Sequence, residues 1–272
     1  MATVTLPTWY YEQGDADRSL DVPAEAFGGW GQADLPLSLD HTALVVMHAW
    51  DCGTRDEFPG WHRVVEYIPR ADRICREVFP PLLAAVRESP LPLFHVVGGG
   101  DYYQDLPGYQ HAVELSEPEA KPPGKIESDP VLDELRAFQL GPGGYAEHNR
   151  EDIRRGFARI DFAPQCHPLG EEGVAENAGQ LFALCKEADV NHLVYTGFAI
   201  NYCLLLSPGG MADLRGRGLL CSAIRQATTA VETKETARHE FGKELGLWRV
   251  ARMFGYVYDV GDFVRALQEK RR

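Results

Sequence analysis

His192-Leu-Val-Tyr-Thr196, continued by Gly197-Phe-Ala-Ile-Asn-Tyr-Cys203, is the most informative stretch of this chain. A short, nearly continuous apolar run reads as a strand buried on both faces, the kind a parallel sheet contains. The strand ends at Thr196-Gly197, the chain turns, and a helix is predicted to begin with Cys203 in its first turn. In open α/β sheets ligands bind beyond the carboxyl ends of the strands, which is where this cysteine falls. Unpaired N–H groups and the helix dipole favour an anion there and are expected to draw the thiol toward thiolate. The amides of Tyr202 and Cys203 would suit the oxyanion of a tetrahedral intermediate. The plainer reading is packing, because free cysteines are among the most buried residues of any protein.

Working outward, Thr42–Met47 is another continuous apolar run, and Leu93–Val97, closed by Gly98-Gly-Gly100, is a second. Between them Val64–Arg87 reads as helix, with Pro80-Pro81 expected to bend or restart it. Further strands are expected at Arg159–Phe162, Leu219–Ile224 and Tyr256–Tyr258. Helices are expected near Pro130–Phe138, over Glu171–Asp189 and Lys234–Leu245, and from Asp262. Alternating strands and helices predict a three-layer α/β/α fold around a doubly wound, mainly parallel, six-stranded sheet. Residues 1–40 lack a clear period and read as an extension laid over a main domain of 41–272. Residues 101–157, rich in Pro, Gly and charge, read as an insertion. Ser207-Pro-Gly-Gly210 is expected to break the helix after Cys203, with a restart near Met211.

Composition narrows the partners. A net charge of −13 over 272 residues argues against nucleic acid, which needs a concentrated Lys/Arg surface. No window approaches the ~20 apolar residues of a membrane helix. Met1–Gly14 has no positive stretch followed by an apolar one, so a secretory signal is not expected. The six cysteines have neither CxxC nor CxxH spacing, so a cytoplasmic chain with reduced thiols is expected.

The Thr196-Gly197, Asn201 and Cys203 pattern resembles the isochorismatase-like cysteine hydrolases, a family that includes nicotinamidases, ureidoacrylate amidohydrolases and N-carbamoylsarcosine amidases. Gly218–Thr228, ending Gln226-Ala-Thr228, His239–Leu267 and Thr42–Asp51 are similar to that family's flanking elements. The resemblance covers most of 42–97 and 158–267. It implies a hydrolase that opens a carbon–nitrogen bond, amide or ureido, of a small molecule through a thioester on Cys203. It also implies a cis peptide between Phe198 and Ala199 and a homo-oligomer; no cofactor is expected. Substrate and oxyanion contacts are expected from Tyr202, Phe198, Ala199, Asp51 and Trp50.

Two family positions differ. The Asp that ends the first strand is replaced by His48, which either acts as general base toward the thiol or is an inert replacement. The family's lysine should fall near 163–175, and no lysine is present there, so His167 is the nominated substitute. Lys121 and Lys125 are remoter candidates. His48, Asp51, Cys52, Cys166, His167 and Cys203 are metal-ligand types without ligand spacing. Asp101-Tyr-Tyr103 keeps the Asp of the nicotinamidase metal motif without its His, and no metal is expected. A catalytically silent binding or interaction protein remains the rival reading.

Overall fold

The computed structural model describes residues 2–117 and 124–269; Lys121 and the terminal Lys270-Arg271-Arg272 lie outside them. In chain order the strands are β1 (Thr3–Glu12), β2 (Gly29–Ser38), β3 (Thr42–Met47), β4 (Leu93–Val96), β5 (Gly173–Ala175), β6 (His192–Gly197), β7 (Leu220–Thr228) and β8 (Val257–Tyr258). The helices are α1 (Pro59–Val64), α2 (Ile68–Glu77), α3 (Phe79–Arg87), α4 (Pro107–Leu115), α5 (Pro130–Leu140), α6 (Arg150–Phe157), α7 (Ala178–Glu187), α8 (Cys203–Leu206), α9 (Met211–Gly216), α10 (Phe241–Arg249) and α11 (Val260–Glu269). The strands form one sheet in the order β2-β1-β8-β7-β6-β3-β4-β5. From β8 to β5 every neighbouring pair is parallel, which is the expected six-stranded doubly wound core.

Alternation along β3 divides the interior into two layers. Leu44 and Val46 join Phe79, Leu82 and Phe263 on one side, under α2, α3 and α11. Ala43, Val45 and Met47 join Leu181, Leu204, Met211 and Leu247 on the other, under α7 to α10. Every residue of β3 and of β6 is buried, as their unbroken apolar sequences require.

The N-terminal segment corrects the sequence reading. Instead of lying over the core, β1 and β2 form an antiparallel hairpin that extends the sheet to eight strands, through pairing of Trp9 with Val257. Leu6, Leu37 and Leu39 are buried in the same core as β3. Asp259 fixes the join by accepting from Trp9 Nε1 at 2.6 Å and from Gln226 Nε2 at 2.5 Å.

Three smaller expectations also change. Arg159–Phe162 touches other extended backbone only through a single bridge, Phe162 to Trp50, and the strand beside β4 is instead Gly173–Ala175. The predicted 171–189 helix accordingly begins only at Ala178, capped by the Asn177 side chain on the Gln180 N–H. The helix predicted at Lys234–Leu245 begins at Phe241. The helix over 64–87 does divide, into α2 and α3 at Val78, with Pro80 and Pro81 in the first turn of α3, where a missing N–H costs nothing.

Candidate functional site

The site is built where β3 and β6 end side by side, Met47 opposite Gly197. Gly197 has φ +112°, and a Cβ there would fall on the Met47 carbonyl, so only glycine fits. The next residue, Phe198, donates its N–H to that carbonyl at 3.1 Å, and the Phe198–Ala199 peptide is cis. Ile200 donates to Thr229 O at 2.7 Å. Asn201 binds Val231 twice, its Nδ2 donating to the carbonyl at 2.8 Å and its Oδ1 accepting the N–H at 2.9 Å. The turn between β6 and Cys203 is therefore pinned along its length to β3 and to the segment after β7.

Within this turn the Tyr202 N–H donates to the Ala199 carbonyl at 3.1 Å. That removes it from the expected oxyanion pair, and Phe198 is engaged likewise. Among the described residues neither the Ala199 N–H nor the Cys203 N–H donates to any acceptor. The available pair is Ala199 and Cys203, and Tyr202 is 57% exposed. The helix carrying Cys203 is short. It is four residues long, α8, and stops at Ser207 before restarting as α9 at Met211, because Ser207-Pro-Gly-Gly210 interrupts it as predicted. One turn aligns few peptide dipoles, so the anion-favouring field invoked from sequence is small.

Cys203 is one of two cysteines that are only partly buried. The other, Cys52, has its thiol pushed up to about 12 by burial and then by the Asp51 carboxylate, so it stays protonated. The Tyr67 phenol, raised first by burial, lies within electrostatic reach of both Cys203 and Cys52.

His48 leaves the end of β3 with φ +52°. Its ring stacks on Trp50 at 4.5 Å and 15°, its Nδ1 is buried without a partner, and burial lowers its pKa to about 4. Among the described residues no hydrogen bond links His48 to Cys203, and a neutral imidazole of that acidity is a poor acceptor for a thiol proton. His167, nominated for the lysine's role, lies before β5 instead of at its carboxyl end. It contacts Phe162 at 5.2 Å, with its Nδ1 2.9 Å from Pro168 O. The residue that follows β5 is Glu176, whose carboxylate accepts from Tyr103 Oη at 2.8 Å. Sequence reasoning passed over it because it sought a lysine, and a three-residue strand has too little periodicity to locate its own end.

The expected substrate contacts beyond the turn have other partners. Asp51 holds Arg159 Nη2 at 2.9 Å and the Gly53 N–H at 2.8 Å. Trp50 donates its Nε1 to Tyr102 Oη at 2.8 Å. Both border a cleft of about 700 Å³ beyond the carboxyl end of β3, walled also by α1, α2 and residues 159–165. His95 and His192 are buried and hydrogen-bonded, to Glu172 and to Ser222 respectively. Among the described residues no group of three or more His, Cys, Asp or Glu is arranged to hold a metal ion, and no helix is long and apolar enough to cross a membrane.

The chain is similar to several solved structures. A cysteine hydrolase from Pseudomonas syringae is 13% identical, with TM-score 0.46 over 86% of this chain and 95% of that one. An isochorismatase-like hydrolase from Alkaliphilus metalliredigens is 15% identical, with TM-score 0.46 over 84% and 99%. An N-carbamoylsarcosine amidase from Thermoplasma acidophilum is 13% identical, with TM-score 0.40 over 81% and 96%. No family model and no curated protein sequence matches the chain.

Proposed function

We propose that this chain hydrolyses a carbon–nitrogen bond, amide or ureido, of a small molecule, with Cys203 as nucleophile. The observation that carries the reading is the pair of unengaged N–H groups, Ala199 and Cys203, in the same pinned turn as a cysteine that is only partly buried. Preorganised backbone donors at the point where negative charge develops are the largest single contribution to acyl transfer in many enzymes. Attack by Cys203 Sγ forms the sulfur–carbon bond and moves the carbonyl electron pair onto oxygen, facing the two amides. Collapse expels the nitrogen, which departs with the thiol's proton, and water then releases the thioester as acid and free thiol. Among the described residues no side chain is hydrogen-bonded to the sulfur, so the proton travels through substrate or solvent. His48 and His167 have no part in this scheme.

That same lack of a base favours a second reading, a catalytically silent binding protein that keeps Cys203 as part of the fold. Iodoacetamide labelling followed by peptide mass spectrometry separates the two. A nucleophile is alkylated well below pH 8 and ahead of the other five cysteines, and Cys203→Ala abolishes ammonia release from a panel of amides and ureido acids. If Cys203 labels no faster than Cys52, the hydrolase reading fails.

A further inference from the structure

The cleft beyond β3 has a charge pattern opposite to that of the whole molecule. The chain carries a net charge of −13, yet four arginines line the cleft, Arg55, Arg63, Arg76 and Arg159, against the three carboxylates Asp51, Glu57 and Asp72. Those carboxylates are already matched. Arg159 pairs with Asp51 at 2.9 Å and lies 4.0 Å from Glu57, and Arg76 holds Asp72 at 2.5 Å. Glu57 also accepts from the N–H and the hydroxyl of Thr54, both at 2.9 Å. Two guanidiniums remain. Arg63 donates only its Nε, to Asn149 Oδ1 at 3.0 Å, and among the described residues Arg55 has no hydrogen bond or ion pair. The two cleft thiols add no negative charge at neutral pH. Cys52 is held up by burial and Asp51, and Cys75 is raised first by its hydrogen bond to Cys166. Trp50, Ile68, Pro69 and Pro164 supply apolar lining to the same cleft.

We propose that this cleft binds a small organic anion, an oxyanion head, carboxylate or phosphate, on Arg55 and Arg63 and an apolar body against Trp50 and Ile68. A guanidinium fork with free N–H groups matches such a head. A concave site whose unmatched charges are of one sign concentrates its counter-ion even when the rest of the surface repels it. Ligand sites commonly combine an apolar lining with a few convergent polar groups in this way. The inference deepens the hydrolase reading and rests on it for the location of the chemistry: the cleft opens beyond the carboxyl end of β3, the strand that ends beside the β6 turn carrying Cys203.

The test measures binding alone, on Cys203→Ser protein, so that its outcome is independent of catalysis. Benzoate, its neutral isostere benzamide, and phenyl phosphate are titrated by ligand-observed NMR at low salt. Benzoate or phenyl phosphate is expected to bind saturably and at least ~10-fold more tightly than benzamide, a factor set by one charge-assisted contact. The tighter of the two identifies the preferred head. Arg55→Ala/Arg63→Ala is expected to remove that advantage while leaving the thermal midpoint within ~2 °C, since neither side chain is in the core. Benzamide binding as well as the anions, no saturable binding of either anion, or a double variant that binds like its parent would each overturn the proposal. Binding that persists while wild-type protein releases no ammonia from any amide would instead count against the hydrolase reading.

Discussion

Gly197 lies directly against Met47: there is no room between the glycine Cα and the methionine carbonyl for even one methyl group, and φ is +112°. Gly197→Ala is therefore expected to destabilise by about 3 kcal/mol or more, combining left-handed strain with a backbone collision that no rotamer change relieves. Urea unfolding followed by circular dichroism measures this. A loss below about 1 kcal/mol would mean that the β6 turn yields easily, and the pinned geometry around Cys203 would no longer hold.

His48 and His192 both have their pKa lowered to about 4 by burial. Unfolded, each titrates near 6.5, so between about pH 6.5 and pH 4 the unfolded chain binds protons that the folded one excludes. The stabilisation is full above 6.5 and is lost as pH falls toward 4. Between pH 7 and pH 5 each histidine is expected to remove about 2 kcal/mol. Urea midpoints over that range should fall steeply, and less steeply in His192→Gln. A flat profile would mean that these rings reach water.

Replacing His48 with Ala is expected to leave the pH profile of Cys203 alkylation unmoved, because the ring stacks on Trp50 and makes no hydrogen bond to the sulfur. His48→Asn should be better tolerated than His48→Val, since φ +52° suits asparagine and penalises a β-branched side chain. A labelling midpoint displaced by about a pH unit in His48→Ala would restore the histidine to the mechanism.

Glu232 approaches α10 from outside the helix and accepts the N–H groups of Gly242 at 2.8 Å and Lys243 at 2.9 Å. A carboxylate in that position satisfies two first-turn donors and complements the helix dipole, so Glu232→Ala should cost about 1–2 kcal/mol. Gln, which offers one acceptor oxygen without charge, should fall between. The same unfolding assay ranks the three.

Much of this architecture was legible because buried parallel strands leave unbroken apolar runs. Thr42–Met47 matched its strand to the residue, and His192–Thr196 fell one residue short. Ser207-Pro-Gly-Gly210 announced its break through two residue types that helices exclude. The hairpin did not read as strands, because Pro7, Pro36 and several glycines interrupt its alternation and pairing across ten residues supplies what local preference lacks. At the site, the turn and the cysteine were visible in sequence. Which amides stay free was not, since the Tyr202 to Ala199 hydrogen bond is a property of how the turn closes. Nor was the direction of the His48 ring, which follows from packing against Trp50.

The Asp259 carboxylate, holding Trp9 and Gln226 together, gives the first forty residues a protective task. The rim they shelter, Val257-Tyr258, is only two residues long. A version of the protein beginning at residue 41 would lose three buried leucines and bare an unpaired strand edge, an invitation to pair with neighbouring molecules. Such a truncation should precipitate where the intact chain stays dispersed.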